Sequence, residues 1–206
     1  MKKYFLTFCV LLFAADFFAQ QRADALVLYR NGRYKEAIEI CEAEITEDPN
    51  NVDSYCVLCW SLVRNRQYAE GEQRSIEARK ISPNDVRLIE IQAEAKYYLG
   101  KNNSALELFQ QYLATAPGSA SRIENAYYYM GEIYIRQAKY QHADMAFTSA
   151  VYIYPTSDLW WTRCGYAREM AKSYTKALDA YNKALELNPS REDAVKGKER
   201  VQAILK

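Results

Sequence analysis

Residues 124–157 read ENAYYYMGEIYIRQAKYQHADMAFTSAVYIYPTS, a stretch that closes on Pro155 and carries a small residue, Ala143, twelve places upstream. The same pair recurs along the chain. Its five prolines stand at Pro49, Pro83, Pro117, Pro155 and Pro189, at spacings of 34, 34, 38 and 34 residues. Twelve residues before them stand Ala37, Gly71, Ala105, Ala143 and Ala177, all small. Two packed helices and their turns fill such a period, so the chain reads as a repeat array. A small residue in register with a helix-ending proline marks a point where two helices approach closely, because a larger side chain would hold them apart.

In this register the sequence resembles the tetratricopeptide repeats, whose 34-residue unit is a helix A, a turn and a helix B. In residues 124–157, Tyr127, Met130, Gly131 and Tyr134 occupy the helix A motif positions, followed by Ala143, Phe147 and Pro155. Residues 158–191 repeat the pattern with Trp161, Cys164, Gly165, Tyr174, Ala177, Tyr181, Ala184 and Pro189, although Arg168 replaces an aromatic. Residues 52–85 and 86–119 keep fewer motif positions, and residues 18–51 keep Tyr34, Ala37 and Pro49. The resemblance implies an all-α fold, a right-handed α-solenoid of five helix-turn-helix units spanning residues 20–190. Residues 191–206 form one further amphipathic helix, with Ala194, Val195, Val201 and Ile204 as its apolar positions, which caps the last hydrophobic face.

The boundaries follow from local chemistry. Turns between helices fall at Asn31-Gly32, Asn65-Arg66, Gly100 to Asn103, Ala138-Lys139 and Lys172-Ser173. After each proline stand Asn50-Asn51, Asn84-Asp85, Gly118-Ser119, Thr156-Ser157 or Ser190, which can accept the free amides of the next helix. The 38-residue interval holds four extra residues, 120–123. Ser121 with Glu124 makes a capping-box pattern that predicts an early start for the next helix.

Residues 1–19 read as a secretory signal: Lys2 and Lys3 precede an uncharged run from Tyr4 to Ala15, and Ala19 precedes Gln20. That run of twelve falls short of the roughly 20 residues that cross a bilayer. An exported protein, periplasmic or secreted, is expected, with membrane attachment only through an uncleaved leader. Without the leader the formal charge is zero, and no basic run exists to advertise nucleic-acid binding.

Catalytic chemistry finds little support. His142 is the only histidine, so a multi-histidine metal site is excluded, and its place early in a helix B predicts a solvated residue. Gly131 and Gly165 are isolated glycines expected at close helix contacts, not in a phosphate loop. No cofactor or metal is expected, and the chain is not read as an enzyme. Cys56 and Cys59 form a Cys-x-x-Cys pair, but inside a helix with no strand before it, so buried small hydrophobes are the expected role. The resemblance places the helices of Cys41 and Cys59 side by side, which would permit a disulfide there.

Eighteen tyrosines are the remaining oddity. Many stand at motif positions and fill space between helices. Trp60, Tyr97, Tyr128 and Tyr166 fall instead where the family lines its inner surface, and Glu90, Glu94 and Glu132 share that face. The expected function is a non-catalytic adaptor or assembly scaffold in the cell envelope. These seven residues would bind a partner segment with aromatic or aliphatic anchors and one or more basic residues. A small-ligand or envelope-component binding protein is the alternative, and a thiol redox enzyme using Cys56 and Cys59 ranks third. The family's clamp for C-terminal carboxylates is not reproduced. Arg22 and Arg87 occur, but Leu26, Val57 and Ile91 stand where further polar residues would be needed.

Overall fold

Each proline acts through the residue before it. Steric clash with the proline ring drives that residue out of the helical region, and Asp48, Ser82, Ala116, Tyr154 and Asn188 all end their helices with ψ between 82° and 136°. The structure, a computed structural model, describes residues 24–206, so the expected leader lies outside the described residues. Within them the chain is helical, without strands. It divides into two units, one ending at Ser82 and the other running from Pro83 to Lys206.

The first unit contains α1 (Ala25–Arg30), α2 (Tyr34–Glu47), α3 (Val52–Arg64) and α4 (Tyr68–Ile81). Each helix packs on the next, and α1 also meets α3. Leu28, Ala37, Cys41, Leu58, Cys59, Leu62 and Ala78 are buried at their contacts. A Cβ added at Gly71 would come within 3.1 Å of Val63 Cγ2, so the small residue here permits the approach of α4 to α3.

The second unit contains α5 (Val86–Tyr98), α6 (Asn102–Thr115), α7 (Ile123–Arg136), α8 (Tyr140–Ile153), α9 (Asp158–Met170), α10 (Tyr174–Leu187) and α11 (Glu192–Leu205). Each packs on the next, with α5 also meeting α7 and α9 meeting α11. One device recurs: an aromatic ring of one helix fills the space left by a small residue on its neighbour. A Cβ on Gly131 would lie 2.7 Å from the Phe147 ring, one on Gly165 2.7 Å from the Tyr181 ring, and one on Gly197 2.3 Å from Tyr181 Cζ. The expectation of close contact at Gly131 and Gly165 therefore holds. Ala105, Ala143 and Ala177 are fully buried, as their register requires.

The turn within each helix pair is built one way throughout. Gly32, Arg66, Gly100, Ala138 and Lys172 all have φ between 56° and 77°. The following amide donates back to the carbonyl five residues earlier at 2.8–2.9 Å, as in Arg33 to Leu28 and Lys139 to Tyr134. This Schellman closure satisfies carbonyls at the helix end and needs a left-handed residue, which glycine supplies without strain at only two of the five positions.

Helix starts agree in part with expectation. Asn51, Asp85 and Ser157 cap α3, α5 and α9 through their side chains. Ser190 and the Gly118-Ser119 pair do not. The capping box at Ser121 and Glu124 is not formed either: α7 begins at Ile123, and its N-cap is Arg122 in the left-handed region, with φ 77°. Ser121 instead accepts a hydrogen bond at its carbonyl from Tyr112 Oη, 2.5 Å away. The four extra residues make a turn that aims Arg122 inward. In α11, Ala194, Gly197 and Val201 are buried, whereas Ile204 is half exposed, so the apolar stripe is narrower than its sequence suggested.

Candidate interaction face

In the second unit, α5, α7 and α9 bring aromatic rings into one connected run. Tyr97 and Tyr129 lie 4.8 Å apart between centroids, Tyr129 and Tyr128 5.6 Å, Tyr128 and Trp160 5.2 Å, and Trp160 and Tyr154 5.4 Å. The planes of Tyr128 and Trp160 are only 15° apart, a stacked pair shared by α7 and α9. Both rings are half buried, and Tyr154 is 50% exposed at the turn before α9. Offset or edge-on contacts of this kind hold each ring in place beyond simple area burial.

Of the expected site residues, Tyr97 is 8% exposed and belongs to the core as much as to the face. The Arg136 guanidinium lies 4.1 Å over its ring, held there by donating from Nη1 to the Tyr97 carbonyl at 3.2 Å and to Asn102 Oδ1 at 3.1 Å. Burial pushes the Tyr97 hydroxyl pKa up, with Arg136 opposing. Burial, reinforced by the nearby Glu132 charge, does the same for Tyr128. Both phenols are therefore neutral contact surfaces.

The expectation that Glu90 and Glu94 offer carboxylates on this face is corrected. They are 2% and 0% exposed, one helical turn apart on α5, and Arg122 reaches both. Its Nε lies 3.0 Å from Glu90 Oε1, Nη2 pairs with Glu94, and Tyr129 Oη donates to Glu94 Oε1 at 2.7 Å. The reason is the turn at residues 120–122, whose left-handed Arg122 delivers a cation into the interior. Burial would lower the Arg122 pKa, but the charges of Glu90 and Glu94 outweigh it and raise it.

Glu132 is also committed. Arg163 on α9 donates from Nε to Glu132 Oε1 at 2.5 Å and from Nη2 to Oε2 at 2.8 Å, leaving the carboxylate 12% exposed. The same guanidinium lies 5.3 Å over the Tyr166 ring. Tyr128, Glu132, Arg163 and Tyr166 thus form one constellation, of which the sequence had singled out all but the arginine. Tyr166 and Arg163 also line a cleft of about 400 Å³ between α9 and α11.

Trp60 belongs to the first unit. Its ring lies 5.9 Å from Tyr29, which in turn meets Tyr34 at 5.8 Å. Residues missed by sequence reasoning are Trp160, Tyr129, Tyr154, Arg122 and Arg163. A signal existed only for Trp160: adjacent tryptophans on a helix diverge by about 100°, so only one of Trp160 and Trp161 can serve the motif. The other must face elsewhere.

Cys41 and Cys59 are buried with free thiols, so the Cys41–Cys59 bridge is not formed, and Cys56 and Cys164 are buried as well. Burial pushes the Cys59 thiol well above its ordinary pKa and Cys41 up to about 12, the reverse of what a reactive thiolate requires. His142 is exposed on α8.

Residues 16–52 and 125–157 each match a tetratricopeptide repeat family. Over 148 residues, 68% of this chain, the sequence is 29% identical to anaphase-promoting complex subunit 3 of Schizosaccharomyces pombe. The match covers 21% of that protein, so the chain spans about a fifth of its length. Among solved structures, MamA from Desulfovibrio magneticus RS-1 superposes with a TM-score of 0.69 at 18% identity, covering 81% of this chain and 92% of that one. YrrB, a TPR protein with an unusual peptide-binding site, gives 0.67 at 16% identity over 85% and 88%. A thermophilic TPR protein of Thermus thermophilus gives 0.62 at 17% identity over 87% and 95%. The fold is that of a tetratricopeptide-repeat array.

Proposed function

We propose that this tetratricopeptide-repeat array, a protein-interaction scaffold, takes a peptide segment of a partner on the α5–α7–α9 face. The observation that carries the reading is the half-buried, stacked pair of Tyr128 and Trp160, continued by the exposed ring of Tyr154. Rings held rigidly by their neighbours lose little entropy on contact, which is why aromatic anchors dominate interface energetics. With Glu90 and Glu94 buried and Glu132 engaged by Arg163, the face offers no free carboxylate among the seven expected residues. The partner segment is therefore read as aromatic or aliphatic in its anchors, without the basic residues that the sequence suggested.

Export is part of the proposal and is supported by the leader pattern of residues 1–19, which would place the scaffold in the cell envelope. The second reading, a small-ligand binding protein, draws on the cleft beside Tyr166, whose volume of about 400 Å³ suits a small molecule. Crosslinking with mass spectrometry in the native host separates the two. Partner peptides joined to α7 and α9 are expected. Absence of any crosslinked protein, together with a thermal shift by a small molecule, would overturn the scaffold reading in favour of the second.

A further inference from the structure

Helix α8 departs from its own repeats at two surface positions. Ten residues before the five prolines stand Glu39, Gln73, Glu107, Met145 and Asp179, and three before them stand Thr46, Lys80, Ala114, Tyr152 and Glu186. All of these are exposed, so the register turns both positions to solvent and fills the first with a polar side chain everywhere except in α8. Met145 is 71% and Tyr152 87% exposed, more than any other large apolar side chain of the described residues. They lie two turns apart on one face, with the small residues Thr148 and Ser149 between them at the spacing of a helix-packing seam. Ser149 Oγ donates to the Met145 carbonyl at 3.2 Å, and Thr148 Oγ1 donates to Asp144 Oδ1 at 3.1 Å and accepts from Arg168 Nη2 at 3.0 Å. Covering these hydroxyls therefore strands no polar group. Asp144 is the one acidic or basic residue of α8, and Arg168 holds it at 2.7 Å.

A two-fold contact sets a surface against a copy of itself, so a free charge at its centre would meet its like. The stripe on α8 carries none, and its order of large, small, small, large reads the same in both directions. We infer that two copies of the chain associate through this face, α8 packing antiparallel on α8 across a two-fold axis that passes between Thr148 and Ser149. Met145 of each copy then meets Tyr152 of the other in a sulfur–aromatic contact, and the small residues cross at the centre and let the helices close. The antiparallel arrangement also sets the two helix dipoles head to tail. A helix of this length offers a seam about 21 Å long. That is the low end of interface size, so association of roughly micromolar strength is expected. The inference goes beyond the scaffold reading and uses neither Tyr128 nor Trp160. A dimer would present the α5–α7–α9 face twice, which raises the effective concentration for a partner with two binding segments.

Sedimentation velocity of the full chain over a range of concentrations should show a reversible monomer–dimer equilibrium. Met145→Glu and Tyr152→Lys place at these exposed positions residues that other repeats already carry there. Each should weaken association about tenfold or more with unchanged melting. An equimolar mixture of the two variants should dimerise again, because the antiparallel register sets position 145 of one copy against position 152 of the other and joins the introduced opposite charges. Trp160→Ala should leave the equilibrium unchanged, so this inference and the scaffold reading fail separately. A wild type that stays monomeric at every concentration, association equal in wild type and both variants, or a loss that mixing does not repair would overturn the inference. A monomer that binds phosphatidylcholine vesicles and loses them with Tyr152→Lys would assign the face to a lipid surface instead.

Discussion

Arg122 pairs with Glu94, 28 residues away in sequence, from a backbone position that only the four extra residues of the 38-residue interval create. Glu94 is fully buried and Glu90 nearly so, and the same guanidinium serves both. Replacing Arg122 with glutamine should destabilise the chain by about 3–5 kcal/mol, because two buried carboxylates lose their cation. Urea unfolding measures it. A loss under about 1 kcal/mol would mean that the cluster is not buried as described. Glu94→Lys should likewise act on folding and not on association with a partner.

The turn residues give a matched set. Ala138 has φ 56° and Lys172 φ 61°, whereas Gly32 and Gly100 hold the same place without a Cβ. Ala138→Gly should stabilise by up to about 1 kcal/mol by relieving left-handed strain, and Gly100→Ala should destabilise by a similar amount. Melting temperatures moving in the same direction for both would contradict the shared closure.

Packing at the small positions is tight. Gly165→Ala places a Cβ 2.7 Å from the Tyr181 ring, and Ala177→Leu adds bulk at a fully buried site. Each should cost about 1–3 kcal/mol from overpacking, while His142→Ala on the exposed face of α8 changes little. An Ala177→Leu variant that melted with the wild type would refute the repeat register.

Acid should weaken the α9–α11 contact. Burial favours neutral Glu169, but hydrogen bonds from Arg200 and Tyr181 and the Arg200 charge outweigh it and hold its pKa below the ordinary value. A depressed folded pKa contributes stability that is present above the unfolded value and lost as pH falls through the folded one. Asp158, bound by Asn188 and Arg191, acts in the same direction. Between pH 5 and pH 3, roughly the range that spans these carboxylates, the wild type should lose more stability than Glu169→Gln. Parallel pH profiles of melting would argue against it.

The aromatic residues should divide by burial. Tyr97→Ala removes a ring that is 8% exposed and contacts Tyr98, Tyr129 and Arg136, so it should destabilise the fold by about 3–5 kcal/mol. Trp160→Ala and Tyr128→Ala should weaken partner binding by about 2 kcal/mol or more, measured by calorimetry on the captured partner. Wild-type affinity in both, with binding lost on a change at Met145 on the outer side of α8, would place the interface elsewhere.

The prolines and the small residues in their register determined the helix pairs without help from the rest of the chain. Both act through local sterics, the ring of Pro155 on Tyr154 and the missing Cβ of Gly131 beneath Phe147, and the same residue types at the same spacing give the same result each time. Tyr128, Glu132 and Tyr166 were legible as neighbours for the same reason, since residues at one register position share a face. Where charges go was not legible. Glu90 and Glu94 occupy surface-like register positions, and only the tertiary fold shows that the turn at 120–122 buries them around Arg122. A buried carboxylate is tolerable only with a partner in contact, and here that partner comes from outside the repeat pattern. The cleft between α9 and α11 was decided in the same way, by Arg163 and Arg200 meeting their carboxylates across 31 residues each.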